Sequence, residues 1–267
     1  MLRLAISPCP NDTFAFFGLL HGKTAFREPL DVRFEDIEAL NRLCFAGQVD
    51  ICKISFSAYL RVRDRYRLLE TGSALGFGCG PLVVARQPLT PELLRRHPIA
   101  VPGFNTTAAL LLRLWLGPDL ELVEQPFDRI MPAVAAGRFA AGLIIHESRF
   151  TYERFDLIRV IDLGSWWERE SGHPIPLGCI VARHDLESGR VAAFDRALGE
   201  SIDYAWKHEA ETQPFMKAHA QEMEPEVMKN HVALYVNRFT RGLGARGRAA
   251  IAHLAETAAA LEAGSRP

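Results

Sequence analysis

The sequence predicts an α/β protein built as two similar lobes, and three observations carry that expectation. Over the first two-thirds of the 267 residues, short β-like runs alternate with helical stretches, the pattern of βαβ units with mainly parallel pairing. After about residue 187 the pattern is wholly helical. Two pairs of segments also echo each other within the chain.

In order, Leu2–Ile6 reads as a strand and Ser7-Pro-Cys-Pro-Asn-Asp12 as a loop stiffened by two prolines. Asn11 or Asp12 is placed to cap a helix running through Phe14 to His21. Further strands are expected at Val32–Phe34, Asp50–Ile54, Leu82–Ala85, Ile99–Val101, Leu122–Glu124, Ala141–Ile145 and Leu157–Ile161. Helices are expected at Ala108–Leu116 and Arg129–Ala136. The alanine, leucine and glutamate of Ala245–Ala263 favour a closing helix.

The first echo pairs Phe45-Ala-Gly-Gln-Val-Asp-Ile-Cys-Lys-Ile-Ser55 with Ala135-Ala-Gly-Arg-Phe-Ala-Ala-Gly-Leu-Ile-Ile-His146. In each, a helix ends at a glycine suited to the left-handed C′ position, and an apolar strand follows. The second pairs Gly80-Pro-Leu-Val-Val-Ala-Arg86 with Leu177-Gly-Cys-Ile-Val-Ala-Arg183. Chance likeness of glycine turns and valine-rich strands is the plainer explanation of either echo alone. Together they predict a large lobe of residues 1–86 and 184–267 and a small lobe of 87–183, joined by two crossing strands that act as a hinge. Strand ends of both lobes would face a shared ligand cleft, with the C-terminal helices on the large lobe.

Composition narrows the function classes. Apolar residues make up 48%, charged residues 24%, and mean hydropathy is +0.00, ordinary for a globular protein. A formal charge of −1 gives no overall field for nucleic acid or an anionic membrane. Basic runs such as Arg61-Val-Arg-Asp-Arg-Tyr-Arg67 are interrupted by acid and apolar residues, as on a solvated helix face. No apolar run approaches the roughly 20 residues of a membrane helix, and the N-terminus lacks an export signal. Five scattered cysteines without a CxxC argue against structural zinc or a disulfide framework. A cytoplasmic protein with reduced thiols is expected.

The run Ala141-Gly-Leu-Ile-Ile delivers His146 to a strand end, where open α/β sheets place ligands. Histidine transfers protons near neutral pH, and with no HxH or HExxH spacing around it acid–base work is a better reading than metal ligation. His208, His219, His231 and His253 lie in helical patterns and read as surface or satisfied core residues. Gly103-Phe-Asn-Thr-Thr-Ala-Ala109 follows a strand and opens a helix; Asn105 or Thr106 would cap it, and Thr107 would face a carboxylate in the cleft. Lys53-Ile-Ser-Phe-Ser57 holds the matching strand end, where hydroxyl and amide groups suit polar ligand atoms and Ser55 or Ser57 equally suits a helix cap. No GxSxG elbow or P-loop is present. Cys9 has no histidine partner in sequence, and Phe150, Tyr152, Trp166 and Trp167 read first as packing residues.

Ser7-Pro-Cys-Pro-Asn-Asp-Thr-Phe14, Lys53–Tyr59, Gly80–Arg86 and Gly142-Leu-Ile-Ile-His-Glu-Ser-Arg-Phe-Thr-Tyr152 together resemble the 1,4-dihydroxy-6-naphthoate synthases, the MqnD family of the futalosine route to menaquinone. The resemblance runs from residue 2 into the C-terminal helices. It implies a two-lobed fold like that of type II periplasmic binding proteins. It also implies a lyase that converts cyclic dehypoxanthine futalosine into 1,4-dihydroxy-6-naphthoate with loss of the sugar-derived fragment. His146 matches the family's proton acceptor, and Lys53, Ile54, Ser55, Thr106 and Thr107 match its substrate-binding positions. The partner is then a small carboxylated molecule, with no metal and no cofactor; a homodimer is left open. The rivals are a non-catalytic solute-binding protein, the chorismate dehydratase of the same route and a ligand-sensing regulator domain. The first predicts an export signal or lipid anchor and the sequence offers neither, the HESRFTY motif argues for the naphthoate synthase over the second, and the third would need a DNA-binding helix-turn-helix for which no room remains.

Overall fold

Two separate sheets organise the protein in the computed structural model, which describes residues 1–220 and 224–264. The chain divides into one unit of Met1–Gly76 and Gly178–Ala245 and a second of Phe77–Leu177 with the residues from Arg246 on. The first segment gives β1 (Leu2–Ile6), α1 (Pro10–Leu20), β2 (Leu30–Phe34), α2 (Ile37–Phe45), β3 (Ile51–Ser55), α3 (Phe56–Val62), β4 (Tyr66–Leu68) and β5 (Ala74–Gly76). The second unit follows with β6 (Leu82–Ala85), α4 (Pro91–Arg95), β7 (Ile99–Val101), α5 (Thr107–Leu116), β8 (Leu122–Glu124), α6 (Phe127–Ala135) and β9 (Ala141–Ile144). Two 3-10 turns (His146–Phe150 and Tyr152–Phe155), β10 (Ile158–Asp162) and α7 (Leu163–Ser171) come next. β11 (Ile175–Arg183) carries the chain back to the first unit, where α8 (Ser188–Lys207), α9 (Glu209–His219), α10 (Pro225–Tyr235) and α11 (Arg238–Arg241) lie before α12 (Gly244–Glu262).

The two sheets share one plan. The first has the order β2-β1-β3-β11-β4, with β5 also paired to β11. The second, taken from its far edge, runs β8-β7-β9-β6-β10. In both, the first three strands are parallel and the fourth is antiparallel to its neighbours. The first echo is therefore structural: α2 and α6 end alike, at Gly47 (φ 66°) and Gly137 (φ 75°). In each the glycine N–H returns to the third residue back and the next N–H to the fifth, the Schellman closure. The second echo holds too, since β6 and β11 occupy the same fourth position.

The expected lobe boundaries move. β6 pairs with β9 and β10, so the second unit begins at Phe77 rather than after residue 86, and the return falls at Leu177/Gly178 inside β11. α12 belongs with the second unit, not with the first: His253 packs on Trp167 (ring centroids 5.3 Å) and Arg246 lies over Phe77 (4.8 Å). The chain therefore passes between units three times instead of twice. Residues 265–267, assigned from sequence to the large lobe, lie outside the described residues. Two strands depart from the expectation: β4 begins inside the Arg61–Arg67 run that reads as a solvated helix face, and β5 has no counterpart in the expected strands.

Each unit has its own core. In the first, Leu4, Ile6, Phe14, Phe16 and Ile51 meet Phe194, Leu198 and Ile202 of α8. α1 approaches α8 closely at Gly18, where an added Cβ would lie 3.0 Å from Ser201 Cα. In the second, Leu82, Val84, Ala100 and Ile144 are covered by Ile130, Met131 and Val134 of α6. Among the described residues no helix is long and apolar enough to cross a membrane.

Candidate active site

In the first unit the loop after β1 turns directly into α1, which starts at Pro10, as suits a residue with no N–H to leave unpaired. Its N-cap is Cys9, without a side-chain cap, so the expected capping by Asn11 or Asp12 is corrected. Asp12 is turned inward instead. One carboxylate oxygen accepts from Lys53 Nζ (2.8 Å) and Asn11 Nδ2 (2.9 Å), the other from the Ser7 N–H (3.3 Å). Lys53 Nζ also donates to the Gly72 carbonyl at 3.2 Å. Both side chains of the Lys53–Asp12 pair are about 95% buried, at 5% and 4% exposure, so each charge depends on the other. Gly178, opposite Ser55 in β11, makes room for the lysine: a Cβ there would lie 3.1 Å from Lys53 Cε.

Ser55 sits at the N-cap position of α3 but makes no cap bond. Buried Asn41 holds it, accepting from the Ser55 N–H (2.9 Å) and donating to Ser55 Oγ (3.3 Å). Strand alternation puts Ile54 on the opposite face, where its side chain is fully buried. His231, read as an ordinary helical histidine, is fully buried, and its Nε2 lies 2.9 Å from Asn11 Oδ1. It thereby joins α10 to the start of α1 across 220 residues, a link with no local sequence signal.

In the second unit, of the two candidates Asn105 and Thr106, it is Thr106 that forms the N-cap of α5. Its Oγ1 accepts from the Ala109 N–H (3.1 Å) and donates to the Gly103 carbonyl (2.9 Å). Thr107 is buried, and its hydroxyl donates to the Leu177 carbonyl at 2.8 Å. Burial alone lowers the pKa of the Arg113 guanidinium, which donates to the Phe104 carbonyl at the same turn (3.3 Å).

β9 ends at Ile144, and His146 opens the 3-10 turn that follows. Gly142 within the strand lets α6 pack against it, since a Cβ there would lie 2.5 Å from Ile130 Cγ2. His146 is half-buried, its ring edge-on to Phe127 at 5.4 Å between centroids. Its φ is 56°, a left-handed conformation that costs a non-glycine residue about 1–3 kcal/mol and persists only where the surroundings enforce it. Three residues on, Arg149 donates to the Gly80 carbonyl and to Asp162 Oδ2 (3.0 Å), while Asp162 Oδ1 caps α7 through the N–H groups of Gly164 (2.9 Å) and Ser165 (3.1 Å). Nearby, Glu168 accepts from the Gly78 N–H at 2.7 Å, and burial raises its pKa.

Trp167 is a packing residue, buried with its indole N–H on the Pro174 carbonyl (3.3 Å), and Tyr152 bonds its neighbour Glu153. All five cysteines are free and buried. Burial pushes Cys44 and Cys79 up to about 12 and also raises Cys52 and Cys179. Among the described residues no group of three or more His, Cys, Asp or Glu side chains is arranged to hold a metal ion.

A family model described as menaquinone biosynthesis matches residues 2–260. The chain is 50% identical over 253 residues to a 1,4-dihydroxy-6-naphthoate synthase of Thermus thermophilus, spanning 95% of this chain and 92% of that protein. It is 44% identical over 264 residues to the protein of the same name from Streptomyces coelicolor, spanning 97% and 93%. Among solved structures, an Archaeoglobus fulgidus protein superimposes with a TM-score of 0.93 at 37% identity over 98% of both chains. A Candida albicans protein with the generic periplasmic binding protein fold gives 0.70 at 16% identity, over 97% of this chain and 90% of that one, a likeness of fold alone. The fold is thus periplasmic-binding-protein-like, and the chain belongs to the menaquinone-biosynthesis family of 1,4-dihydroxy-6-naphthoate synthases, as an enzyme of that pathway.

Proposed function

We propose that the protein is a lyase that converts cyclic dehypoxanthine futalosine into 1,4-dihydroxy-6-naphthoate, with His146 as the base. The observation that carries this reading is the left-handed, half-buried His146 at the end of β9, the strand that matches β3 with its Lys53 and Ser55. A histidine held in a costly backbone conformation beside an aromatic edge suits proton abstraction near neutral pH. Removal of a proton from a sugar carbon or hydroxyl would start fragmentation, and aromatisation of the naphthoate ring would drive it. Thr106 and Thr107 at the start of α5, and Lys53, Ile54 and Ser55 at the end of β3, are the proposed substrate-binding positions. Within that set Lys53 and Ser55 offer polar side chains, whereas buried Ile54 offers shape and backbone.

Incubating the purified protein with cyclic dehypoxanthine futalosine and following naphthoate absorbance tests the reading; no product from folded protein would overturn it.

A further inference from the structure

Arg149 stands where the His146 turn meets three other segments. The guanidinium bridges the Gly80 carbonyl, just before β6, and Asp162 Oδ2, at the end of β10. Asp162 Oδ1 meanwhile holds the first turn of α7. The anchor points are themselves rigid. The Gly80 and Gly164 backbones touch so closely that a Cβ on Gly80 would lie 2.2 Å from Gly164 Cα, and the Leu163 N–H bonds the Pro81 carbonyl at 3.0 Å. Arg149 and Asp162 are both largely buried, at 13% and 10% side-chain exposure, so the bridge is poorly screened by solvent.

The turn is short enough for this anchor to fix His146. The 3-10 turn spans His146–Phe150, so Arg149 follows His146 by only three residues within one short element. Upstream, β9 is clamped between β6 and β7. His146 thus lies between two fixed points, and its left-handed φ is the connection that joins them. The guanidinium serves the two acceptors with separate nitrogens, Nη1 to the carbonyl and Nη2 to the carboxylate, a planar fork that the single ammonium nitrogen of a lysine does not reproduce.

We propose that Arg149, buttressed by Asp162, is the positioning residue that holds His146 in its reactive orientation; this rests on the reading of His146 as the base. Asp162→Asn separates positioning from folding, because asparagine remains an N-cap for α7 but loses the charge that orients Arg149. Arg149→Lys and Arg149→Ala complete the set. Expected is a kcat for naphthoate formation reduced about 100-fold in Arg149→Ala and about 10-fold in Asp162→Asn, as for a misplaced catalytic group. KM should stay within about threefold, because no substrate-binding position is altered. Added guanidinium should restore part of the Arg149→Ala rate, and Arg149→Lys should recover little.

A second measurement needs no turnover. The His146 ring resonances, identified by their loss in His146→Asn, should be a single sharp set in the parent and broadened or shifted in Arg149→Ala. Unchanged ring resonances together with parental kcat in Asp162→Asn and Arg149→Ala would overturn the positioning role while leaving His146 as base. A fully active His146→Asn protein would overturn the base reading instead, whatever the Arg149 variants do.

Discussion

Lys53 and Asp12 form an ion pair of 2.8 Å in which neither side chain is more than 5% exposed. Desolvating two charges is expensive, and removing one partner leaves the other uncompensated in the interior. Asp12→Ala should therefore cost about 3–5 kcal/mol and lower the melting temperature of the first unit by about 10 °C. Differential scanning calorimetry checks this. A shift below about 2 °C would show that Lys53 finds another partner or water.

His146→Asn should reduce naphthoate formation by about 10²–10⁴-fold, the usual worth of a general base. Calorimetric titration should find substrate affinity within a few-fold of the parent. Asparagine tolerates positive φ, so the turn has a residue able to keep its shape. Substantial remaining turnover would remove His146 from the base role.

The thiols should be inert in the native protein. Burial holds Cys44 and Cys79 up at about 12 and raises Cys52 and Cys179, so at pH 8 these four are protonated and shielded. Titration with a thiol-reactive chromogen should register at most one fast equivalent before denaturation and five afterwards.

Gly142→Ala should destabilise the second unit by about 1–3 kcal/mol, because the new methyl meets Ile130 Cγ2 and Val134 Cγ2 and forces α6 away from β9. β9 leads directly to His146, so kcat should fall as well. Urea unfolding and steady-state kinetics on the same sample would report both, and an unchanged midpoint would show that α6 yields freely.

Acid stability should depend on Asp50. Burial pushes its carboxyl up, but hydrogen bonds from the Arg3 side chain (2.6 Å) and backbone, with Arg183 nearby, hold it below the usual carboxylate range. A folded-state pKa below the unfolded one stabilises above about pH 4, and that contribution is lost as pH falls through the folded value. Asp50→Asn should flatten this part of the acid limb, read as melting temperature between about pH 6 and 3.

Much of the scaffold was legible in the chain. Leu82–Ala85, Ile99–Val101 and Leu122–Glu124 are strands with the bounds expected from their apolar runs, and the glycines of the first echo mark matching helix ends. Local chemistry sufficed there: a strand needs an apolar run, and a left-handed C′ residue favours glycine. Thr106 as the α5 cap was readable for the same reason. At the start of α1 Asp12 instead meets Lys53, 41 residues away, and the cap position falls to Cys9.

The α/β class, the duplicated strand–helix plan and His146 at a strand end follow from periodicity and from residues that act on their immediate neighbours, so residue order alone carries them. Long-range contacts set β6 in the second sheet, bring α12 back to that unit, and hold His146 in a left-handed turn ahead of the Arg149–Asp162 bridge. Strand pairing, helix packing and buried ion pairs join residues far apart in the chain. Their energy depends on burial and distance, which local residue order does not encode.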